Sequence, residues 1–252
     1  MDIHDTAGHR MSSILTTPEH TTDGLVVLCH GFLSTKNSST NKALTRLLAS
    51  HGLAALRFDF FGQGESEGPF EKITVSTAVD QAMTAIDLVR RTGYRRLGLI
   101  GSSFGGLVAT LVAARRSDLA ALGLKCPVPD FPEMLRLEFG DAGIERWKRT
   151  GAIPDVTGGT RPIPLIYGFY EDCLTHQVYE AATMISVPVL IVQGDCDELV
   201  PLHQSRRLLD ALKTKKDLRI LPGANHGFTK ADDFRTMTEA LADWMVTHLK
   251  TR

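Results

Sequence analysis

Leu97-Gly98-Leu99-Ile100-Gly101-Ser102-Ser103-Phe104-Gly105-Gly106 is the stretch on which the fold turns. Leu97 to Ile100 is a short apolar run that predicts a strand. Leu107 to Ala114 is apolar and glycine-free and predicts a helix. Between them stands one sharp turn with a serine at its tip. Ser103 occupies the central place of a G-x-S-x-G pattern whose glycines are Gly101 and Gly105; Ser102 is out of that register. A serine on such a turn projects its hydroxyl clear of the sheet, and the glycines let strand and helix approach closely. A glycine-rich strand-to-helix turn without chemistry has the same local appearance. A working serine needs a base, an orienting acid and donors for an oxyanion, so the rest of the chain must decide.

Outward from Ser103, strands and helices alternate. Leu25 to Cys29 is a continuous apolar run ending at His30-Gly31, the pattern of a central strand covered on both faces. Asn41 to Ser50 predicts a helix, Leu53 to Phe58 a strand, and Thr77 to Arg91 a second helix stopped near Gly93. After Ser103 come apolar runs at Leu119 to Leu124 and Val187 to Gln193. A helix follows at Leu202 to Leu212, then a strand at Asp217 to Leu221 and a closing helix at Phe234 to Leu249. This order implies an α/β fold with a mostly parallel central sheet and helices on both faces. Asp130 to about Thr183 breaks the rhythm. It carries Phe131, Phe139, Trp147, Tyr167, Phe169 and Tyr170 and a Pro/Gly-rich stretch from Gly151 to Pro164. Its length predicts a small cap, at about 130–183, inserted in a single domain spanning 1–252. Those aromatic side chains are candidates for an apolar pocket.

Composition narrows the function classes. The chain has 252 residues, 43% hydrophobic and 23% charged, enough for one well-buried α/β domain. The formal net charge is −1, from 28 basic and 29 acidic residues. No basic block stands out beyond short pairs such as Arg95-Arg96 and Lys215-Lys216, so no nucleic-acid footprint is expected. No apolar run approaches the roughly 18 residues of a membrane span. The opening MDIHDTAGHRM lacks an apolar secretory core, so a cytoplasmic location is expected. Cys29, Cys126, Cys173 and Cys196 form no C-x-x-C pair. None of the nine histidines forms H-x-x-x-H or H-E-x-x-H, so no metal site is expected.

In an open parallel sheet, reacting groups gather at the carboxyl ends of the strands. His30-Gly31-Phe32 follows the first strong strand and Ser103 the middle one. Asp195 and Asp197 follow Val187 to Gln193, and His226 follows the last strand in Asn225-His226-Gly227. The order serine, acid, histidine is that of hydrolases of this build. His226 is the candidate base because a loop histidine beyond a strand end can reach over the serine. Phe104, directly after the serine, supplies a candidate backbone donor for an oxyanion. The acid is open between Asp195 and Asp197, with Asp172 in the cap more remote. His30 is the rival base.

These motifs resemble the α/β-hydrolase superfamily, most closely its small bacterial serine esterases of the feruloyl or cinnamoyl esterase type. The resemblance runs from Leu25 to Leu249. It rests on His30-Gly31-Phe32, Gly62-Gln63-Gly64-Glu65-Ser66, Gly101 to Gly106, Gly194-Asp195-Cys196-Asp197-Glu198-Leu199-Val200-Pro201 and His226-Gly227-Phe228. It implies Ser103 as nucleophile, Asp197 as the acid, His226 as the base, and the Phe32 and Phe104 amides as the oxyanion hole. It makes His30 a structural residue and Asp195 a tie within its loop. The implied reaction is ester hydrolysis of a small or aromatic acyl ester, with no cofactor and no metal. The expected partner is a small-molecule ester; no nucleic acid or membrane is expected, and the oligomeric state stays open. Thioesterases and acylaminoacyl or proline-type peptidases share the same motifs. A peptidase would need a polar anchor for an amino terminus, for which Glu133, Glu138 and Glu171 are candidates. A non-catalytic binding protein on the same fold is the alternative from another class.

Overall fold

The computed structural model describes residues 2–20, 22–156 and 162–250; part of the Pro/Gly-rich stretch within Gly151 to Pro164 therefore lies outside the described residues. The chain opens with an antiparallel pair, β1 (Asp2–His4) and β2 (Arg10–Thr16). Six further strands of the main sheet follow: β3 (Gly24–Cys29), β4 (Ala54–Phe58), β5 (Arg96–Ser102), β6 (Leu119–Lys125), and, beyond a two-stranded ribbon of β7 (Ala152–Ile153) and β8 (Leu165–Ile166), β9 (Val189–Gly194) and β10 (Lys216–Leu221). The main sheet has eight strands in the order β1-β2-β4-β3-β5-β6-β9-β10. From β4 to β10 every pairing is parallel, and β2 joins β4 antiparallel.

Side-chain alternation explains the two layers of helix. Leu25, Val27 and Cys29 of β3 enter one core, while Val26 and Leu28 enter the other. The first core is closed by α2 (Val75–Arg91) and α3 (Phe104–Arg115), and also takes Leu208 of α7 (Leu202–Ala211). The second is closed by α1 (Ser39–Ser50) and α8 (Ala231–Leu249) through Leu44, Leu48, Leu241 and Met245. Two helices start earlier than their apolar spacing suggests. The Ser38 hydroxyl accepts from the Asn41 amide, and the Thr74 hydroxyl accepts from the Thr77 amide. Each cap satisfies an otherwise unpaired donor of the first turn, so the helix begins at the residue after it.

The segment between β6 and β9 holds α4 (Phe131–Thr150), the short ribbon, α5 (Gly168–Leu174) and α6 (Val178–Ala182). The helix α4 is two helices joined across a kink at Gly140, whose φ of 66° and ψ of 166° belong to glycine alone. Among the described residues, no helix is long and apolar enough to cross a membrane.

Candidate active site

Ser103 lies between β5 and α3 with φ 54° and ψ −116°, a strained conformation for a residue with a side chain. The surroundings impose it. A Cβ on Gly101 would come 2.1 Å from the carbonyl oxygen of Gly105, and one on Gly105 would come 2.3 Å from that of Cys29. Only glycines allow α3 to sit this close to β5 and β3. The Ser103 amide donates to the Lys125 carbonyl at 2.9 Å, and its own carbonyl accepts from Gly106 at 2.8 Å, so the turn is pinned on both sides.

The structure brings His226 and Asp197 into direct contact. His226 Nδ1 lies 2.9 Å from Asp197 Oδ2 and 3.0 Å from Oδ1. Asp197 is held in turn by the amides of Leu199 and Val200 at 3.0 and 2.8 Å and by Gln193 Nε2 at 2.9 Å. Burial works to raise the Asp197 carboxyl, but the hydrogen bonds from His226 and the Val200 amide outweigh it and hold it below its ordinary value. Because the carboxylate accepts at Nδ1, the neutral ring carries its proton there and leaves Nε2 as a free base. Ser103 and His226 line one cavity. Among the described residues Ser103 Oγ has no hydrogen bond to the ring, a contact that often tightens only when substrate arrives. Asp195 serves the loops instead: its Oδ1 accepts from the Gly223 amide at 2.6 Å, tying two of them together. Asp172 is engaged with Ser76, accepting from both its amide and its hydroxyl.

His30 is fully committed elsewhere. Its Nδ1 lies 2.8 Å from the Gly31 carbonyl, which can only accept, and its Nε2 accepts from the Phe60 amide at 3.1 Å. Both nitrogens are thus used in one neutral tautomer. Burial, partly opposed by that carbonyl and by Asp59, pushes the ring down to about 4. The loop after His30 is anchored by Lys36, whose Nζ lies 2.5 Å from Asp59 and 2.6 Å from Glu65. Gly62 to Ser66 completes that anchor: the Glu65 amide and the Ser66 hydroxyl both donate to Asp59. The Phe32 and Phe104 amides donate to no other group among the described residues. Phe104 is the first residue of α3, where an amide has no intrahelical acceptor.

The cavity has a volume of about 400 Å³. Apolar walls come from Phe32, Met134, Leu135, Phe139 and Leu165, and hydroxyls from Ser34, Ser38, Ser39 and Thr40. Of the six aromatic residues singled out between β6 and β9, Phe131 and Phe139 reach it. Trp147, Tyr167 and Tyr170 pack on one another, and Trp147 Nε1 donates to the Leu165 carbonyl at 2.9 Å. Phe169 packs against Phe32, Phe104 and Phe131 and fixes the ring of Phe32 from behind. Three supports of the site are not evident in the sequence: Gln193, Lys125 and Cys126. The signal for the first two is a polar residue at or near the end of an otherwise apolar strand. Cys126, Asp197 and His226 bring ligand-type atoms within 4.8 Å of one another. Burial pushes the Cys126 thiol up to about 12, so it rests protonated, and its Sγ donates to the His226 carbonyl at 3.9 Å.

A sequence profile described as the alpha/beta hydrolase family matches residues 26–242. The chain belongs to that family. Est1E from Butyrivibrio proteoclasticus, solved with ferulic acid bound, is similar across 98% of both chains with a TM-score of 0.84 and 26% identity. Palmitoyl-protein thioesterase ABHD10, mitochondrial, of Homo sapiens is 23% identical over 226 residues, covering 86% of this chain and 72% of that protein. Monoacylglycerol lipase of Mycolicibacterium smegmatis is 22% identical over 96% of this chain and 95% of its own length. The relatives are esterases, thioesterases and lipases, and this family member is a hydrolase close to bacterial esterases.

Proposed function

We propose that this hydrolase cleaves small or aromatic carboxylic esters through Ser103, His226 and Asp197. One observation carries the reading: a histidine ring held by a buried carboxylate at 2.9 Å shares a cavity with a serine on a strained, glycine-enforced turn. Ser103 Oγ attacks the ester carbonyl while His226 Nε2 takes its proton. The oxyanion is received by the unpaired amides of Phe32 and Phe104. His226 then protonates the leaving alcohol, giving an acyl-enzyme on Ser103. Water, deprotonated by the same ring, attacks the acyl carbon and releases the acid. Asp197 keeps the ring in the working tautomer and stabilises the imidazolium. Neither cofactor nor metal has a step in this sequence.

For the substrate, the ferulic acid held by Est1E and the apolar, ring-bearing cavity wall favour a feruloyl- or cinnamoyl-like acyl group. The second reading is an acyl thioesterase, favoured by the likeness to palmitoyl-protein thioesterase. A peptidase is less well supported: of its three candidate anchors only Glu138 lines the cavity, while Glu133 is bound by His203 and Gln204. A fluorophosphonate reagent tests the nucleophile. Intact mass and peptide mapping should place a single adduct on Ser103. An adduct that persists in folded Ser103→Ala would overturn the assignment.

A further inference from the structure

Two lysines are buried among the described residues, and they are treated differently. Lys36 is neutralised by Asp59 and Glu65. Lys125, 5% exposed, donates to the His226 carbonyl at 2.5 Å and lies 5.4 Å from the centre of the Phe228 ring. Among the described residues no carboxylate comes within ion-pair reach of it. Asp197 is already occupied by His226, Gln193 and two amides. A buried ammonium without a counter-ion is costly, and a carbonyl dipole and a ring face offset only part of that cost.

Its position gives the imbalance a use. Lys125 lines the catalytic cavity together with Ser103 and Gly227. Alternation along β6 sends Leu122 and Leu124 to the α2 and α3 side and Lys125 to the side that carries α1. The hydroxyls of Ser38, Ser39 and Thr40, at the start of α1, line the same cavity. An ammonium has three donors, and the His226 carbonyl takes one. We propose that Lys125 is the anion-recognition group of this cavity, and that the preferred substrates are esters bearing a free carboxylate. This rests on the ester-hydrolase reading and narrows its substrate class. The carboxylate supplies the missing counter-charge when substrate binds, so the pair forms in a largely desolvated place where a charge-assisted hydrogen bond is strong.

The test compares matched esters. Monomethyl adipate against methyl heptanoate places the carboxylate on the acyl side; omega-acetoxyvalerate against hexyl acetate places it on the alcohol side. The proposal expects kcat/KM to favour the charged member of at least one pair by about tenfold or more, the range of one charge-assisted hydrogen bond. In Lys125→Met that ratio falls to about one, and in Lys125→Arg most of it returns. Wild-type ratios near one in both pairs would overturn the proposal. So would a Lys125→Met variant that slows charged and neutral esters by the same factor, since that is the signature of a mere tie to the His226 loop. Binding is read separately by calorimetric titration of Ser103→Ala with both charged esters, with and without Lys125→Met. Loss of binding with the lysine supports the anion site whether or not Ser103 takes the fluorophosphonate; binding indifferent to the lysine rejects it while leaving the nucleophile untouched.

Discussion

At the scale of single residues, neighbouring groups of one kind are separated by what they bind. Asp195 and Asp197 stand two apart after the same strand, yet one accepts a loop amide and the other the imidazole. Asp197→Asn should fold and lose about 10³–10⁴ in kcat, because an amide in that place favours the wrong histidine tautomer. Asp195→Asn should retain most turnover. The check is kcat for both variants with circular dichroism as the folding control; a crippled Asp195→Asn beside a near-normal Asp197→Asn reverses the assignment. The two loop histidines divide in the same way. His30 is pushed down to about 4 from its ordinary 6.5, first by burial. Below 6.5 the unfolded chain takes up a proton there that the folded chain refuses. Its contribution is therefore complete above 6.5 and is lost as pH falls towards about 4. The difference is about 3 kcal/mol. Urea unfolding at about pH 7.5 and about pH 4 should show a drop in stability that His30→Asn reduces by about that amount. Equal drops in both proteins would mean that His30 is not the group responsible.

At the scale of elements, the kink at Gly140 divides α4 into two halves with different work. The first half presents Met134, Leu135 and Phe139 to the cavity that holds Ser103 and His226. The second half buries Ile144 and Trp147 in the core, with Trp147 only 1% exposed. Phe139→Ala should therefore shift the ratio of kcat/KM between bulky and short acyl esters with little change in stability. Trp147→Ala should cost about 3–5 kcal/mol and leave that ratio in place. Denaturant midpoints and an acyl-length series measure both. A ratio that moves with Trp147 and not with Phe139 would reverse this division of α4. The sequence alone could not separate these two aromatics, because both sit in one helix-like stretch whose kink depends on a single glycine, and across that kink their rings still meet edge to face, 6.3 Å between centroids. The strands were easier. β3 and β9 are covered on both faces, so they read as apolar runs, interrupted in β9 only by Gln193 near its end. The β1–β2 hairpin has no comparable signal: β2 is half-buried and reads Arg-Met-Ser-Ser-Ile-Leu-Thr, with too little apolar contrast to stand out.

At the scale of the whole molecule, the sheet converts distant motifs into one site. β3, β5, β9 and β10 run parallel in the sheet, so the residues after their carboxyl ends meet on one edge. That convergence is why Ser103 and His226 stand out as candidates from order and spacing; Asp197 over Asp195, and the Phe32 amide, come from the family resemblance, and the supports of the site come from neither. The partnership of Lys36 with Asp59 or of Gln193 with Asp197 follows from folded side-chain geometry that no spacing encodes. The same convergence bears on ester against thioester. A thiolate leaves more readily than an alkoxide, so the machinery serves both, and the surroundings must discriminate. Lys125 is the one cation on the described cavity wall. Arg115 lines a separate cleft with Thr175 and Met184, and Arg207 is stacked 4.0 Å over the Tyr179 ring. Among the described residues lining the cavity, no guanidinium group is therefore placed to hold the several phosphates of a coenzyme thioester. Kinetics on an aryl-acid methyl ester and on the coenzyme A thioester of the same acid should give the higher kcat/KM for the ester. A thioester preference of about tenfold, or about 1.4 kcal/mol in the transition state, would make the thioesterase reading the better one.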